Sequence, residues 1–342
     1  MESDHGGESS VSRLESPPKP STDAYGTAEV PLAGRSGIRG LGLGPTIGEL
    51  GYYVGRVEGN LYRVADSNYQ CAFMTTYDGV VLFDAPAALG HKIQRAVDEI
   101  ASAKGVSNKV TYLIYSHHHA DHAGASSLFD RGVTRIGHEE TRRLLLRDDD
   151  PARPPPEETF QDHRTLDIGG ERIDLIWHGP NHSPDNIFIH LPRHATLMLV
   201  DIVNPGWAAV CQGNLANDIP GYIEAAGYAL TYPWKHFIGG HVSRLGTRDD
   251  LATHRQYMAD IVESSRRALD AVDPAPYFVK HGDSAWAAMS EYLTATTTAA
   301  AAPVIAKYSA VLADADLFTA ATTYQVMQSI RLDLGYGSHS HW

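Results

Sequence analysis

Residues 116–124 read Ser-His-His-His-Ala-Asp-His-Ala-Gly, and the interpretation of the rest of the chain depends on this stretch. The apolar, β-branched run Val110–Tyr115 precedes it and predicts a buried strand. Ala125–Phe129 follows it and predicts the start of a helix. The histidines therefore lie on a strand-to-helix loop, where an α/β fold usually carries its chemistry.

The order of polar residues in this loop favours a metal site over a histidine-rich surface loop or a fragment of tag. His117 and His119 alternate, so in an extended segment their side chains point the same way and that of His118 points the other way. Asp121 and His122 lie at the helix start, where the turning chain can direct two more ligands toward the same region. Imidazole and carboxylate groups suit zinc and neighbouring metals.

The His-x-His-x-Asp-His pattern resembles the signature of the metallo-β-lactamase superfamily. That family continues with a His on a later loop, an Asp that ends a strand and a His after a further strand. The chain offers His182, Asp201 and His241 in that order, and the last two directly follow apolar runs. The resemblance covers roughly residues 50–270. It implies an α/β fold, namely an αββα sandwich of two mixed sheets with outer helices.

The resemblance also implies that the ligands are shared between two metal ions. The expected ligands are His117, His119 and His182 for one ion, Asp121, His122 and His241 for the second, and Asp201 as the bridge between them. Two Zn²⁺ ions are expected, with Fe or Mn as alternatives because sequence does not select the metal. Two metals can share a hydroxide and polarise a carbonyl or phosphoryl oxygen, so no Ser or Cys nucleophile is required. Asp121 is the candidate catalytic residue, which would orient the attacking hydroxide or accept its proton.

Asp201 indicates a branch within the family. Metallo-β-lactamases proper usually lack a bridging carboxylate at this point, whereas hydrolases of the glyoxalase II and lactonase type have one. The ligand spacing is similar to that of acyl-homoserine lactonases, but those enzymes place a tyrosine where this chain has Asn204. No basic cluster that would bind glutathione stands out in the later chain. The prediction is a lactonase-like hydrolase whose metal-bound hydroxide opens a lactone, ester or related acyl bond of a small molecule.

Three alternatives stay open. The first two are a β-lactam hydrolase and a mono-iron dioxygenase of the persulfide type on the same fold, although the second ligand set, with His122 and His241, argues against a single iron. The third, a non-enzymatic metal-binding module, is the least favoured because structural zinc sites are closed and usually Cys-rich. Neither Cys71 nor Cys211 falls among the candidate ligands. Both are expected to be buried free thiols of a cytosolic protein, with a single disulfide as the alternative.

Four further residues are candidates for supporting roles. Asn204 and Trp207 follow the bridging Asp and are candidate substrate contacts, with a Trp packed under the loop as the alternative. Asp84 ends a buried strand and is expected either to orient a ligand loop by hydrogen bonding or to cap the next helix. His178 lies close to His182 in the sequence and is a candidate for supporting it.

Composition and the two ends of the chain complete the prediction. The chain has 342 residues, enough for a sizeable core, and a net charge of −13, which argues against nucleic acid as a partner. No membrane span or signal peptide is recognised, so a cytoplasmic protein with a small-molecule substrate and no membrane partner is expected. Residues 1–45 predict a flexible arm and 46–275 the catalytic domain. Residues 276–342 predict a helical extension, broken near Pro303, that caps the site or forms a homodimer interface.

Overall fold

The computed structural model describes residues 43–129, 132–242 and 244–335, except for the side chain of Cys211. The predicted N-terminal arm lies almost wholly outside these residues, and the predicted domain boundaries stay predictions. The strands are β1 (Tyr53–Glu58), β2 (Leu61–Ala65), β3 (Gln70–Thr76), β4 (Gly79–Phe83), β5 (Val110–Ile114), β6 (Thr134–His138), β7 (Glu158–Phe160), β8 (His163–Ile168), β9 (Glu171–Ile176), β10 (Phe188–Leu191), β11 (Thr196–Met198) and β12 (His236–Ile238). The helices are α1 (Lys92–Lys104), α2 (Ala120–Ala123), α3 (Glu139–Asp148), α4 (Val210–Leu215), α5 (Ile219–Thr231), α6 (Arg248–Ala271), α7 (Ala275–His281), α8 (Ala285–Tyr308) and α9 (Ala315–Leu332).

The strands form two mixed sheets. The first has the order β1-β2-β3-β4-β5-β6-β7, antiparallel as far as β4 and parallel from β4 to β7. The second has the order β12-β11-β10-β9-β8 and is antiparallel except for the parallel pair of β11 and β12. Parallel neighbours end at the same edge of a sheet, so the loops after β4 and β5, and those after β11 and β12, lie side by side.

Three hydrophobic clusters arrange the sheets and helices in layers. The cluster between the sheets joins Val81 and Ile114 of the first sheet to Leu175 and Ile189 of the second, all fully buried. A second cluster packs α1 on the outer face of the first sheet, and a third packs α5, α6, α8 and α9 on the outer face of the second. Burial of each large apolar side chain contributes about 1.5–3 kcal/mol. The predicted αββα sandwich with C-terminal helices is confirmed.

The C-terminal helices differ from the prediction in one respect. Pro303 lies inside α8, which continues to Tyr308, so the predicted break near Pro303 is wrong. A proline removes one backbone hydrogen bond from a helix, but packing of α8 against α6 and α9 compensates for that loss. None of the helices in the described ranges is long and apolar enough to cross a membrane.

The helix of the histidine loop is also placed differently. It begins at Ala120, as α2, and is followed by a separate 3-10 turn over Ser126–Phe129, so the helix predicted from Ala125 is corrected. The backbone N–H of Ala125 donates to the carbonyl of Ala85 in the loop after β4, 2.9 Å away. This hydrogen bond interrupts the helical pattern and ties the histidine loop to the neighbouring strand end.

Candidate metal centre

The seven predicted ligands lie together at one edge of the sandwich. They come from the loop after β5, from α2, and from the loops after β9, β11 and β12. Their donor atoms form two groups, each with all its atoms within 4.8 Å of one another: His117, His119, His182 and Asp201 in one, and Asp121, His122, Asp201 and His241 in the other. The structure thus brings together the residues that the sequence singled out and divides them into the two expected sets.

Asp201 is the residue common to both groups. Its Oδ2 lies 3.2 Å from Nε2 of His122 and 3.2 Å from Nε2 of His182. The same oxygen is 3.6 Å from Nε2 of His117, and Oδ1 is 3.2 Å from Nε2 of His241. A carboxylate with this set of neighbours can donate one oxygen to each of two cations.

Distances between the donor atoms fit metal coordination. Nε2 of His182 lies 3.0 Å from Nδ1 of His119, and Nε2 of His122 lies 3.2 Å from Nε2 of His241. Two nitrogens that bind one tetrahedral Zn²⁺ at 2.0–2.1 Å are about 3.3 Å apart. Among the described residues, Nε2 of His117 is buried without a hydrogen-bond partner, as expected for a nitrogen whose partner is a cation.

The first group is electrostatically suited to a cation. Burial holds the pKa of His117 well below its usual range. Burial and the neighbouring His182 lower the pKa of His119 to about 4. Both rings are therefore neutral near pH 7 and keep a lone pair for a metal. Burial raises the pKa of Asp201, but the surrounding histidines outweigh it and hold the pKa well below its usual range, so this carboxyl is ionised.

The second group combines a buried and an accessible part. Burial lowers the pKa of His122, but the carboxylates of Asp201 and Asp121 outweigh it and raise the pKa to about 9. A positive charge is therefore favoured at this point, and a divalent cation would take the place of that proton. The side chain of Asp121 is 40% exposed, against 5% for Asp201. Asp121 thus lies on the side that solvent and substrate can reach.

Asp84 is linked to the first group through Ser116. The carboxylate of Asp84 accepts hydrogen bonds from the backbone N–H and the hydroxyl of Ser116, each 2.7 Å long. The Ser116 hydroxyl is in turn 3.0 Å from Nδ1 of His117. The structure does not support the alternative that Asp84 caps α1, because α1 begins later, after His91. Burial raises the pKa of Asp84 to about 6, and the bonds from Ser116 limit the rise.

A second link, between the histidine loop and the His182 loop, was not found from the sequence. His118 points away from the ligands, as its place in the alternation predicted, and its Nδ1 lies 2.8 Å from Oδ1 of the buried Asp185. Asp185 also accepts hydrogen bonds from the hydroxyls of Thr141 and Ser183. Arg153, in the proline-rich loop, donates to the carbonyl of His118 at 2.7 Å. In the sequence, only the alternation of His117, His118 and His119 indicated that the side chain of His118 points away from the ligands toward a different partner.

The candidate substrate contacts Asn204 and Trp207 lie on the loop after the bridging Asp. Asn204 is 4% exposed, and its Nδ2 donates to Asn214 Oδ1 at 3.2 Å. Trp207 pairs with Ala313 in an isolated parallel bridge. The Oδ1 of Asn204 and the Nε1 of Trp207 have no hydrogen-bond partner in the described part of the chain. Contact of either residue with a substrate stays a prediction.

His178 lies apart from the metal ligands. Its Nε2 is 2.7 Å from the Tyr232 hydroxyl, and its ring stacks on that of Tyr228 with centroids 4.7 Å apart. Within the described residues its ring contacts Tyr228 of α5, Tyr232 just after α5, and Phe188, and none of these is a predicted ligand. The expectation that His178 supports His182 is therefore corrected, because the His178 ring packs against Tyr228 and bonds to Tyr232.

Tyr69 is a neighbour of the site that the sequence did not reveal. Its ring centroid lies 4.8 Å from that of His241 and 5.9 Å from that of His122. Burial and the carboxylates of Asp121 and Asp201 raise the pKa of Tyr69, so its hydroxyl stays protonated. Because the contact joins the β2–β3 loop to the loop after β12, no local pattern could have indicated it.

The fold and the site define a protein with two adjoining groups of side chains that could hold metal ions, on an αββα scaffold. Residues 67–203 match the model of the metallo-beta-lactamase superfamily. In structure, the chain is similar to the metallo-beta-lactamase from Pontibacter korlensis (TM-score 0.53, 20% identity, 61% of this chain and 99% of that one). It is also similar to the DIM-1 metallo-beta-lactamase (TM-score 0.50, 18% identity, 61% and 97%). The match over residues 67–203 and the shared fold support membership of the metallo-β-lactamase superfamily.

Curated relatives by sequence are named as enzymes. The chain is 25% identical over 199 residues to the 2,4-dinitroanisole O-demethylase subunit alpha of Nocardioides sp. (strain JS1661), covering 56% of this chain and 58% of that protein. It is 28% identical over 155 residues to the metallo-beta-lactamase IND-1 of Chryseobacterium indologenes, covering 45% and 59%. This chain thus spans less than two thirds of the length of these relatives.

Proposed function

We propose that this protein is a dinuclear metal-dependent hydrolase that opens a lactone, ester or related acyl bond of a small molecule. The observation that carries the proposal is the place of Asp201, whose two oxygens face histidines of both donor groups at 3.2 Å. Zinc is the proposed metal because imidazole and carboxylate donors suit it, with Fe and Mn as alternatives. The net charge of −13 favours a small molecule over nucleic acid.

Each residue of the site has a separate expected role in the proposed hydrolysis. Two bound cations would lower the pKa of water and polarise the bond under attack. Asp201 would hold the pair together, and the neutral rings of His117 and His119 would supply lone pairs without adding repulsive charge. Asp121 is the accessible carboxylate, and its pKa is lowered because the bonds and charges of His241 and His122 outweigh the effect of burial. It would therefore be ionised near pH 7 and able to orient a water molecule or accept its proton.

The relatives widen the range of bonds to be tested. One is named for removing the methyl group of an aryl methyl ether, and another is named as a β-lactamase. An activated ether and a β-lactam share with an ester an electrophilic carbon that carries a leaving group. We place acyl bonds first because the carboxylate shared by both donor groups, together with the ligand order, is similar to that of lactonases.

A pH-indicator screen of the zinc-loaded protein tests this function. The substrates are lactones, aryl esters, thioesters, β-lactams, phosphodiesters and 2,4-dinitroanisole, each with a chelated control. Acid release from a lactone or ester that stops on chelation supports the proposal. Acid release from another substrate class alone would leave the proposed metal site in place but change the bond that the protein is proposed to hydrolyse. If the zinc-loaded protein hydrolyses none of these substrates and the iron-loaded protein consumes oxygen, the hydrolase proposal would be replaced by a dioxygenase proposal.

Two variants tie the activity to the site. Asp121→Ala and His182→Ala should each remove turnover while the circular dichroism spectrum stays that of the wild type. His178→Ala is the matched control, because His178 precedes His182 in the same loop but contacts α5. Wild-type turnover in either site variant would contradict the assignment of the site.

A further inference from the structure

The segment after the bridging Asp201 contains an uncommon left-handed turn. Gln212, Gly213, Asn214 and Leu215 have φ angles of +61°, +63°, +54° and +57°. For residues other than glycine this conformation is strained, because the Cβ atom lies too close to the following carbonyl oxygen. Such strain persists only where surrounding contacts hold the backbone in place, and it is concentrated at functional sites. The hydrogen bonds that hold this turn therefore indicate which part of the site it supports.

The Asn214 side chain directs its amide group toward the peptide of Asp201. Its Nδ2 donates to the carbonyl of Asp201 at 3.0 Å and lies 3.4 Å from the carbonyl of Ile202. The hydroxyl of Tyr222 lies 3.0 Å from the same Nδ2 and itself donates to the Ile202 carbonyl at 3.0 Å. Tyr222 is fully buried, so this group of hydrogen bonds has a rigid base.

Asp201 itself adopts a left-handed conformation, with φ of +62°. Its backbone N–H donates to the carbonyl of Gly239 at 3.1 Å, and its carbonyl accepts from Asn214. The peptide groups on both sides of Asp201 are thus held by hydrogen bonds, one to Gly239 after β12 and one from Asn214 in the left-handed turn. A carboxylate that must lie 3.2–3.6 Å from four histidines tolerates little rotation of its backbone.

The turn is in turn held by the C-terminal helix α9. The buried hydroxyl of Thr322 accepts from the N–H of Gly213 at 3.1 Å and donates to the carbonyl of Ala209 at 3.2 Å. Nε2 of Gln325 donates to the carbonyl of Ala216 at 3.0 Å. These bonds bind α9 to both ends of α4, so the helical extension supports the segment that carries Asn214.

We infer that Asn214 is a positioning residue for Asp201 and that α9 holds Asn214 in place. The inference rests on the proposed dinuclear site, since only there does the orientation of Asp201 decide whether two cations can be shared. Asparagine suits the task because it tolerates the left-handed conformation and offers both a donor and an acceptor. The extension thus contributes to the metal site through the backbone, without placing a ligand in it.

The test measures metal binding by the full chain, independently of turnover. Zn²⁺ affinity is determined by competition with a chromophoric chelator, and the absorption spectrum of the Co²⁺-loaded protein reports ligand geometry. Asn214→Asp retains size and backbone preference but replaces the donor with an acceptor, and Asn214→Gly removes the side chain while relieving the strain. Asn217→Asp is the matched control, because it introduces the same charge on an exposed side chain nearby.

Both Asn214 variants should bind Zn²⁺ roughly 10–100-fold more weakly, as is usual when a hydrogen-bond partner of a ligand is removed. Their Co²⁺ spectra should change, whereas Asn217→Asp should match the wild type. Thr322→Val should shift affinity in the same direction by a smaller factor. In every variant the circular dichroism spectrum is expected to stay that of the folded protein.

Four results would overturn the inference. If the wild type binds two ions and both Asn214 variants bind them equally well with unchanged spectra, Asn214 does not position Asp201, and the proposed site stands. An equal loss of Zn²⁺ affinity in Asn217→Asp would show an effect of charge alone. Loss of affinity in the Asn214 variants only together with loss of helical circular dichroism signal would show a purely structural role. A wild-type protein that binds fewer than two ions would overturn the dinuclear site itself, and the inference with it.

Discussion

The buried ring of His254 should make the protein sensitive to acid. His254 lies on α6, is 2% exposed, and faces the rings of Tyr222 and Tyr257. Neither of its ring nitrogens has a hydrogen-bond partner in the described ranges. Burial lowers its pKa to about 4 from the ordinary 6.5, because the charged form would lose its hydration without gaining a partner.

The sign of the effect follows from proton binding. In the folded state His254 stays neutral down to about pH 4, whereas in the unfolded chain it takes up a proton below 6.5. Stability is therefore greatest above pH 6.5 and falls as the pH drops toward 4. At 1.36 kcal/mol per pKa unit, the full effect is about 3 kcal/mol, and between pH 8 and pH 5 it is about 2 kcal/mol.

The assay is urea unfolding of the wild type and His254→Leu at several pH values between 8 and 5. Between pH 8 and pH 5 the free energy of unfolding should fall by about 2 kcal/mol more for the wild type than for His254→Leu. Effects of the metal site are common to both proteins and cancel in this difference. At pH 8 the variant should be at least as stable, since it no longer buries two unpartnered nitrogens. His91→Leu, at the exposed start of α1, is the control. Parallel curves for the wild type and His254→Leu would refute the reasoning.

Three further predictions concern the site. Asp84→Ala should lower the free energy of unfolding by about 1–3 kcal/mol, because it leaves buried donors unpaired, and should weaken Zn²⁺ binding; unchanged urea curves and metal titrations would contradict this. Gly240→Ala should reduce turnover at least about tenfold, because at a φ of +84° the added Cβ would lie 2.5 Å from Cγ1 of Val200 and 3.0 Å from Cε1 of His122, so the backbone beside the ligand must shift. Gly227→Ala has no atom within 4 Å of its Cβ and should retain activity. Tyr69→Phe should leave Zn²⁺ affinity unchanged while altering KM or kcat, and a loss of affinity would show instead that the hydroxyl supports the ligands.

The sequence, read together with its resemblance to a known family, was enough to predict the layered fold and the seven residues that the structure groups as candidate ligands. The alternation of His117 and His119 after a buried strand, with Asp121 and His122 at the helix start, is a local pattern, and local patterns follow from strand and helix geometry. The later residues His182, Asp201 and His241 were chosen from the order that the family resemblance implies, and only Asp201 and His241 directly follow apolar runs. Pro303 shows the limit of such rules, because a helix packed on two neighbours continued through a residue that usually ends one.

Only the tertiary structure decided which residues support the ligands. Asp185 meets His118 across 67 positions of the chain, and Thr322 reaches Gly213 across 109. Neither partner carries a signal of its own in the sequence, since Asp and Thr at these places resemble ordinary polar residues. The first contact arises where loops from separate strands meet at one edge of the sandwich, and the second where α9 packs on α4, so the geometry of both depends on how the layers pack. The residue types of the site are therefore a property of the sequence, whereas their orientation is a property of the fold.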